Sequence, residues 1–162
     1  MGAWGDDGVA CAGDEPGAIC IRCYALMVGY WNKPTATRET LRDGWLHTGD
    51  IGQVDADGFV YVVDRLKDMI ISGGENIASS EVERVIYELP QVREVAVIGM
   101  PDARWGERPV AVVVLADGVM LELPVLPDHC RQRQAAFKVP KHVIIRAGLT
   151  RMPSGKVRKR VL

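Results

Sequence analysis

Three short segments of this 162-residue chain place residues that could do chemistry beside glycine. Lys156 stands in Arg151-Met152-Pro153-Ser154-Gly155-Lys156-Val157-Arg158. A Lys on a Pro/Gly loop is a mobile point charge that can be brought up to a phosphate or carboxylate and withdrawn again. Asp50 closes Gly44-Trp45-Leu46-His47-Thr48-Gly49-Asp50. An ionised carboxylate only accepts hydrogen bonds and accepts them strongly, so Asp50 suits a vicinal diol such as the 2′- and 3′-hydroxyls of a ribose. A plain Thr-Gly-Asp turn fits equally well. The third segment runs from Asp64 to Ile77, where a charged cluster and a short apolar strand lead to Gly73-Gly74. Glycine lets a backbone approach a ligand closely or adopt positive φ; a tight strand-to-loop turn is the simpler reading.

Several chemistries are excluded by what stands at neighbouring positions. A phosphate-binding P-loop needs Gly at 150 and Ser or Thr at 157, and the chain has Thr150 and Val157. G-x-G-x-x-G is absent, and so is the nucleophile elbow G-x-S-x-G. Only three histidines are present, and His129 and His142 read as surface or packing residues. Cys20-Ile21-Arg22-Cys23 has a metal-like spacing but alternates as a strand does, with no second pair following. No metal site is expected. Asp55 and Asp57 read as turn residues, since a calcium loop needs more ligands. Four cysteines without a framework point to a reducing, cytoplasmic setting. No apolar run approaches the roughly 20 residues of a membrane span. Met1-Gly2-Ala3-Trp4 does not open a secretory signal.

The elements that must position these residues are legible from pattern. Residues 1–16, rich in Gly and Asp, read as a flexible loop. Gly17 to Cys23 reads as a strand, and Pro34 to Leu41 as a short helix opened by proline. Ile51–Val54 and Phe59–Val63 flank Asp55-Ala56-Asp57-Gly58, which predicts a hairpin. Ser80-Glu81-Val82-Glu83 matches a capping box. Val82, Val85, Ile86 and Leu89 share one helical face, and Pro90 ends the helix. Val95–Ile98 and Val110–Leu115 are continuous apolar runs, as strands buried on both faces are. Pro127 to Phe137 reads as a second helix, Val143–Ile145 as a strand, and residues 157–162 as a short helix.

The fold class is therefore α+β. A β-rich piece, residues 1–64, precedes a compact α+β unit, residues 65–162, with a central sheet flanked by helices. Composition is that of an ordinary soluble domain, 48% hydrophobic and 25% charged. The net charge of −1 hides an asymmetry: residues 129–162 hold ten Lys or Arg and no acid, while residues 1–128 hold ten bases and all twenty-one acids. Such a one-sided field suits an anionic ligand, or else a solvated basic face.

Taken together, Thr48-Gly49-Asp50, Asp64 to Ile77, Pro101-Asp102-Ala103-Arg104-Trp105-Gly106-Glu107 and Pro153-Ser154-Gly155-Lys156 resemble the C-terminal motifs of the adenylate-forming enzymes. Gly29-Tyr30-Trp31-Asn32-Lys33-Pro34 and Asp43-Gly44-Trp45 match that family's lead-in, so the resemblance covers about residues 16–162. It is nearest to the acyl-CoA synthetase branch, of the fatty or aryl acid kind, with fatty-acid metabolism the expected setting. The chain departs from the usual pattern at 117–128, where Pro124 and Pro127 disfavour a long helix.

The resemblance implies a reaction in two halves. A carboxylate attacks the α-phosphate of ATP to give acyl-adenylate and pyrophosphate, and the CoA thiol then displaces AMP. Between the halves the small domain turns. By resemblance Asp50 holds the ribose hydroxyls, Arg65 contacts the nucleotide, and Lys67 occupies the hinge position, where Asp is common and Lys also occurs. Lys156 is the catalytic cation of the first half. Gly73 and Gly74 line the pantetheine tunnel, with Trp105 nearer the CoA nucleotide. ATP with Mg²⁺, CoA and a small carboxylic acid are the implied ligands. The family's phosphate-gripping loop and acyl pocket lie far upstream of these motifs. The chain thus resembles the end of the large β-rich domain plus the small mobile domain, and full activity is not expected of it alone. An adenylation domain serving a carrier protein, an inert docking fragment and a basic nucleic-acid-binding module are the alternatives. The last is disfavoured by a tail whose one aromatic residue is Phe137.

Overall fold

The computed structural model describes residues 2–4 (backbone), 11, 15–122 and 124–162. The chain forms two compact units, Met1–Lys67 and Asp68–Leu162.

The first unit is an antiparallel sheet built around one long strand. Its strands are β1 (Gly2–Trp4), β2 (Gly17–Ile21), β3 (Leu41–Arg42), β4 (Trp45–Val54) and β5 (Val60–Arg65). β2 pairs with β4 along one edge, while β3 and β5 pair with it along the other, and β1 pairs with β2. A strand thus stands at residues 2–4, where a loop is expected from composition; the remainder of that expectation lies largely outside the described residues. The β4–β5 hairpin forms around the expected turn. Asp55 Oδ1 accepts the N–H groups of Asp57 and Phe59 at 3.0 and 2.9 Å, and Gly58 takes φ +86°. Helix α1 (Pro34–Thr40) begins at its proline.

The second unit is organised on β9 (Gly106–Leu115), which pairs antiparallel with β8 (Val92–Asp102) and parallel with β10 (His142–Ile145). β6 (Ile70–Ser72) and β7 (Glu75–Ile77) form a small hairpin joined to β9 at Ser72 and Gly106. Both faces of β9 are buried, as its unbroken apolar run requires. Ala111 and Val113 pack against Val82, Val85 and Ile86 of α2 (Ser79–Ile86) and Leu126 and Cys130 of α3 (Val125–Arg131). Val112 and Val114 face Ala96 and Leu149, with Val157 and Leu162 of the C-terminal segment packed on them.

Three local expectations are corrected. Thr48-Gly49-Asp50 lies within β4, not in a turn. Helix α2 begins one residue early, at Ser79, and Ala78 before it makes no side-chain cap bond. Ser80 therefore stands inside the helix and not at its cap, and Glu83 Oε1 is engaged by β8 and the C-terminal tail. The second helix starts at Val125 and ends at Arg131, its residue before the start being Pro124, whose fixed φ is compatible with a first turn. Ala136–Lys138 is a separate 3-10 turn.

Candidate functional site

Within the first unit, Asp50 and Arg65 are brought together by register. They are direct cross-strand partners on β4 and β5, and Arg65 Nε lies 3.0 Å from Asp50 Oδ1. Opposite charges across an antiparallel pair interact favourably, and the aspartate side chain remains 27% exposed. Gly49 sits at φ +76° in mid-strand, with nothing within 4 Å of where a Cβ would stand. Its backbone conformation, not crowding, demands glycine. Thr48 pins this kink: its hydroxyl donates to Ile19 O at 3.0 Å and accepts Asp50 N–H at 3.1 Å. Beside it, His47 Nδ1 lies 3.3 Å from Cys20 Sγ. Burial, with the nearby Arg42 charge, pushes the imidazole below its usual value. Lys67 is exposed in the 3-10 turn Leu66–Asp68 and is the last residue of this unit.

Within the second unit, two turns interlock. Gly73 and Gly74 form a two-residue hairpin turn with φ +63° and +87°, the two positive angles that a type I′ turn needs. Trp105 sits in the β8–β9 turn. Its carbonyl accepts Gly73 N–H at 2.8 Å, and its ring stands so close that a Cβ on Gly73 would be 2.7 Å from Cε3. The Arg104 guanidinium lies over that ring, 4.7 Å from the centroid. Asp102 Oδ1 organises the turn by accepting the N–H groups of Arg104 and Trp105 at 2.9 and 3.1 Å. Those two bonds, the Arg104 one foremost, hold the Asp102 carboxyl below its usual value, with the Arg108 and Arg104 charges adding to the effect. Glu107 Oε2 reaches across to accept Ile71 N–H at 3.0 Å. Three of the sequence-predicted residues, Gly73, Gly74 and Trp105, therefore belong to one assembly.

Lys156 lies elsewhere in this unit, on a small hairpin closed by the Arg151–Val157 bridge. Met152 N–H donates to Lys156 O and Gly155 N–H to Met152 O, both at 2.8 Å, with Gly155 at φ +82°. Among the described residues the Lys156 ammonium makes no hydrogen bond or ion pair, and the residue is exposed. Half of the ten cations in the basic tail are instead engaged by acids. Arg131, Arg133, Lys138, Arg151 and Lys159 pair with Asp128, Glu88, Glu81, Glu94 and Glu83 respectively. Sequence reasoning missed the supporting groups Thr48, Asp102, Glu107, Ser79 and Lys159. Their partners lie far along the chain or on the backbone, though Thr48, Asp102 and Glu107 stood inside recognised motifs.

A lysine on a Pro/Gly hairpin, a carboxylate–arginine pair across two strands and a glycine hairpin under a tryptophan, all in the order of the adenylate-forming motifs, define the class. Residues 81–156 match the model of the AMP-binding enzyme C-terminal domain. The chain belongs to the adenylate-forming enzymes, in their acyl- and aryl-CoA ligase family. It is 48% identical over 158 residues to the long-chain-fatty-acid–CoA ligase FadD13 of Mycobacterium tuberculosis, covering 98% of this chain and 31% of that protein. It is 52% identical over 145 residues to a feruloyl-CoA synthase of an Amycolatopsis species, covering 90% of this chain and 30% of that protein. Among solved structures, the o-succinylbenzoate CoA synthetase MenE of Bacillus subtilis, in complex with its acyl-adenylate intermediate OSB-AMP, matches with a TM-score of 0.88 and 38% identity. The match covers 99% of this chain and 33% of that one. The chain thus spans about a third of the length of these relatives. No helix among the described residues is long and apolar enough to cross a membrane.

Proposed function

We propose that this chain supplies the C-terminal part of an ATP-dependent, AMP-forming acid–CoA ligase, with Lys156 as its catalytic cation. The observation that carries the reading is the unpaired Lys156 ammonium on a clamped hairpin, in a tail where half the cations are engaged by acids. In the first half-reaction a carboxylate oxygen attacks the α-phosphorus of ATP, which enters with Mg²⁺, and pyrophosphate leaves. Lys156 offsets the negative charge as the two anions meet. Asp50 accepts the ribose hydroxyls, and Arg65, which already pairs with it, orients that carboxylate and faces the nucleotide. In the second half-reaction the CoA sulfur attacks the acyl carbon and AMP leaves. Gly73 and Gly74 then flank the pantetheine arm, and Trp105 lies toward the CoA nucleotide. Lys67 serves as the hinge between residues 1–64, the end of a large domain, and residues 65–162, a small mobile one.

A fatty acid is the proposed substrate, supported by the 48% identity to a long-chain-fatty-acid ligase across nearly the whole chain. Aryl substrates are the competing class, because the feruloyl-CoA synthase is as similar. A cytoplasmic setting suits ATP and CoA and accords with four free thiols, Cys11, Cys20, Cys23 and Cys130. The 162-residue chain by itself carries out no complete ligation.

Lys156→Ala, made in a full-length ligase bearing this segment, tests the assignment. Loss of one preorganised charge-stabilising donor lowers a rate by about 10²–10³-fold. Pyrophosphate exchange, which reads adenylate formation, falls by that factor. Thioester formation from supplied acyl-adenylate keeps its rate. Equal loss in both halves refutes the role.

A further inference from the structure

Lys159, three residues beyond Lys156, is held unlike the exposed cations around it. Its side chain is 19% exposed. The ammonium lies 2.6 Å from Glu83 Oε1 and donates to Ser79 Oγ at 2.7 Å. Ser79 is fully buried at the start of α2. The same Glu83 oxygen accepts Val97 N–H of β8 at 2.8 Å. One carboxylate oxygen thus joins helix, sheet and C-terminal tail. On the other side of the loop, Arg151 pairs with Glu94 of β8 and donates from Nη1 to Gly155 O at 2.8 Å. Lys156 is strung between these two anchors, on a hairpin that Arg158 N–H closes by donating to Thr150 O at 2.8 Å.

Adhesion of the tail does not need this arrangement, because Val157 and Leu162 already pack on the second face of the sheet. Burying an ammonium is costly unless its geometry is well satisfied, and a lysine side chain loses considerable rotamer freedom when held. Apolar packing is also non-directional. What two charge-assisted bonds add is a fixed position along and across the tail. That position sets where the preceding loop presents its cation. We propose that Lys159 is a positioning residue for Lys156, locking the catalytic loop onto α2 and β8 through Ser79 and Glu83. The inference rests on Lys156 acting in adenylate formation.

The test compares Lys159→Met, Lys159→Arg and Lys156→Ala in the full-length ligase, assaying each half-reaction. Hydrogen exchange is followed in parallel on the 162-residue chain. Displacing a catalytic group by about 1 Å costs on the order of 10²-fold. Lys159→Met therefore lowers adenylate formation by tenfold to a hundredfold and spares thioester formation, and Lys159→Arg restores most of the loss. In the chain, Lys159→Met speeds exchange at Met152 and Gly155 while the amides of β9 keep their protection. Where Lys159→Met also exposes β9, Ser79→Ala, which leaves the Glu83 ion pair in place, is judged by the same two criteria. Unchanged adenylate formation, or equal loss in both halves, overturns the positioning role when Lys156→Ala is selective. If Lys156→Ala is itself unselective, the prior assignment has failed, and the positioning inference falls with it.

Discussion

Gly73→Ala is expected to destabilise the second unit through two separable effects, and its neighbour Gly74 provides the control. Both glycines sit at positive φ, +63° and +87°. Any L-residue placed there bears about 1–2 kcal/mol of left-handed strain. Only at Gly73 is there also a steric conflict. A Cβ would stand 2.7 Å from Trp105 Cε3 and 3.1 Å from Cζ3, whereas Gly74 has nothing within 4 Å. Carbon atoms pack at about 3.5–4.0 Å, so the ring would have to retreat by about 1 Å. It is poorly placed to do so. The Trp105 carbonyl holds Gly73 N–H, its N–H is held by Asp102, and Arg104 covers its ring. Overpacking of this kind costs about 1–3 kcal/mol. Gly74→Ala should then cost about 1–2 kcal/mol and Gly73→Ala about 2–5 kcal/mol. For a unit of this size the difference is at least about 4 °C in Tm. Thermal unfolding of the two variants, each also built on Trp105→Ala, measures it. With the ring removed the two costs should agree to within about 0.5 kcal/mol. Equal costs with Trp105 present, or a gap that survives its removal, would refute the contact as the cause.

Other outcomes follow from single groups. The Asp102 carboxyl is depressed below its usual 3.8 by hydrogen bonds made only in the folded turn. Its contribution is therefore fully present above pH 3.8 and is lost as pH falls through the lower folded value. Urea midpoints measured from pH 2 to 6 should show a shallower acid-side decline in Asp102→Asn than in the parent, and superimposable slopes would contradict this. Burial pushes the Cys130 thiol up to about 11, so at pH 8 only about 10⁻³ of it is thiolate. Iodoacetamide should label exposed Cys23 first and Cys130 only under denaturant, as read by peptide mass spectrometry. Early labelling of Cys130 in the native chain would contradict its burial in the core.

The order of elements was legible because the pattern and the packing agree. The run Val110–Leu115 predicts a strand covered on both sides, and alternate residues do feed two separate clusters. The Val82, Val85, Ile86 spacing predicts the buried face of α2. Two local signals misled. Thr48-Gly49-Asp50 carries turn composition, yet a left-handed glycine is tolerated within β4 because Thr48 ties the kink to Ile19. Ser80 and Glu83 have capping-box spacing, but a capping box is a local bond in competition with tertiary ones. Here Glu83 meets a β8 N–H and a lysine eighty residues along from Ser79 in the chain. No local rule reports such a partner. The motif residues Asp50, Arg65, Gly73, Trp105 and Lys156 could be named from sequence. The cross-strand register pairing the first two, and the contact between the next two, could not.

The same partners change the meaning of the basic tail. Ten cations and no acid in residues 129–162 suggest a field able to attract a polyanion by itself. Folding places acids of α2, the turn after it, β8 and α3 against five of them, and residues 68–162 as a whole carry fourteen bases and eleven acids. Paired charges at short separation cancel beyond a Debye length of about 8 Å at physiological salt. What the second unit offers an anion is therefore less a broad positive surface than individual unpaired cations at fixed places. Lys156 is such a cation, because neighbours on both sides of it have used their charge to hold the loop rather than to meet a ligand.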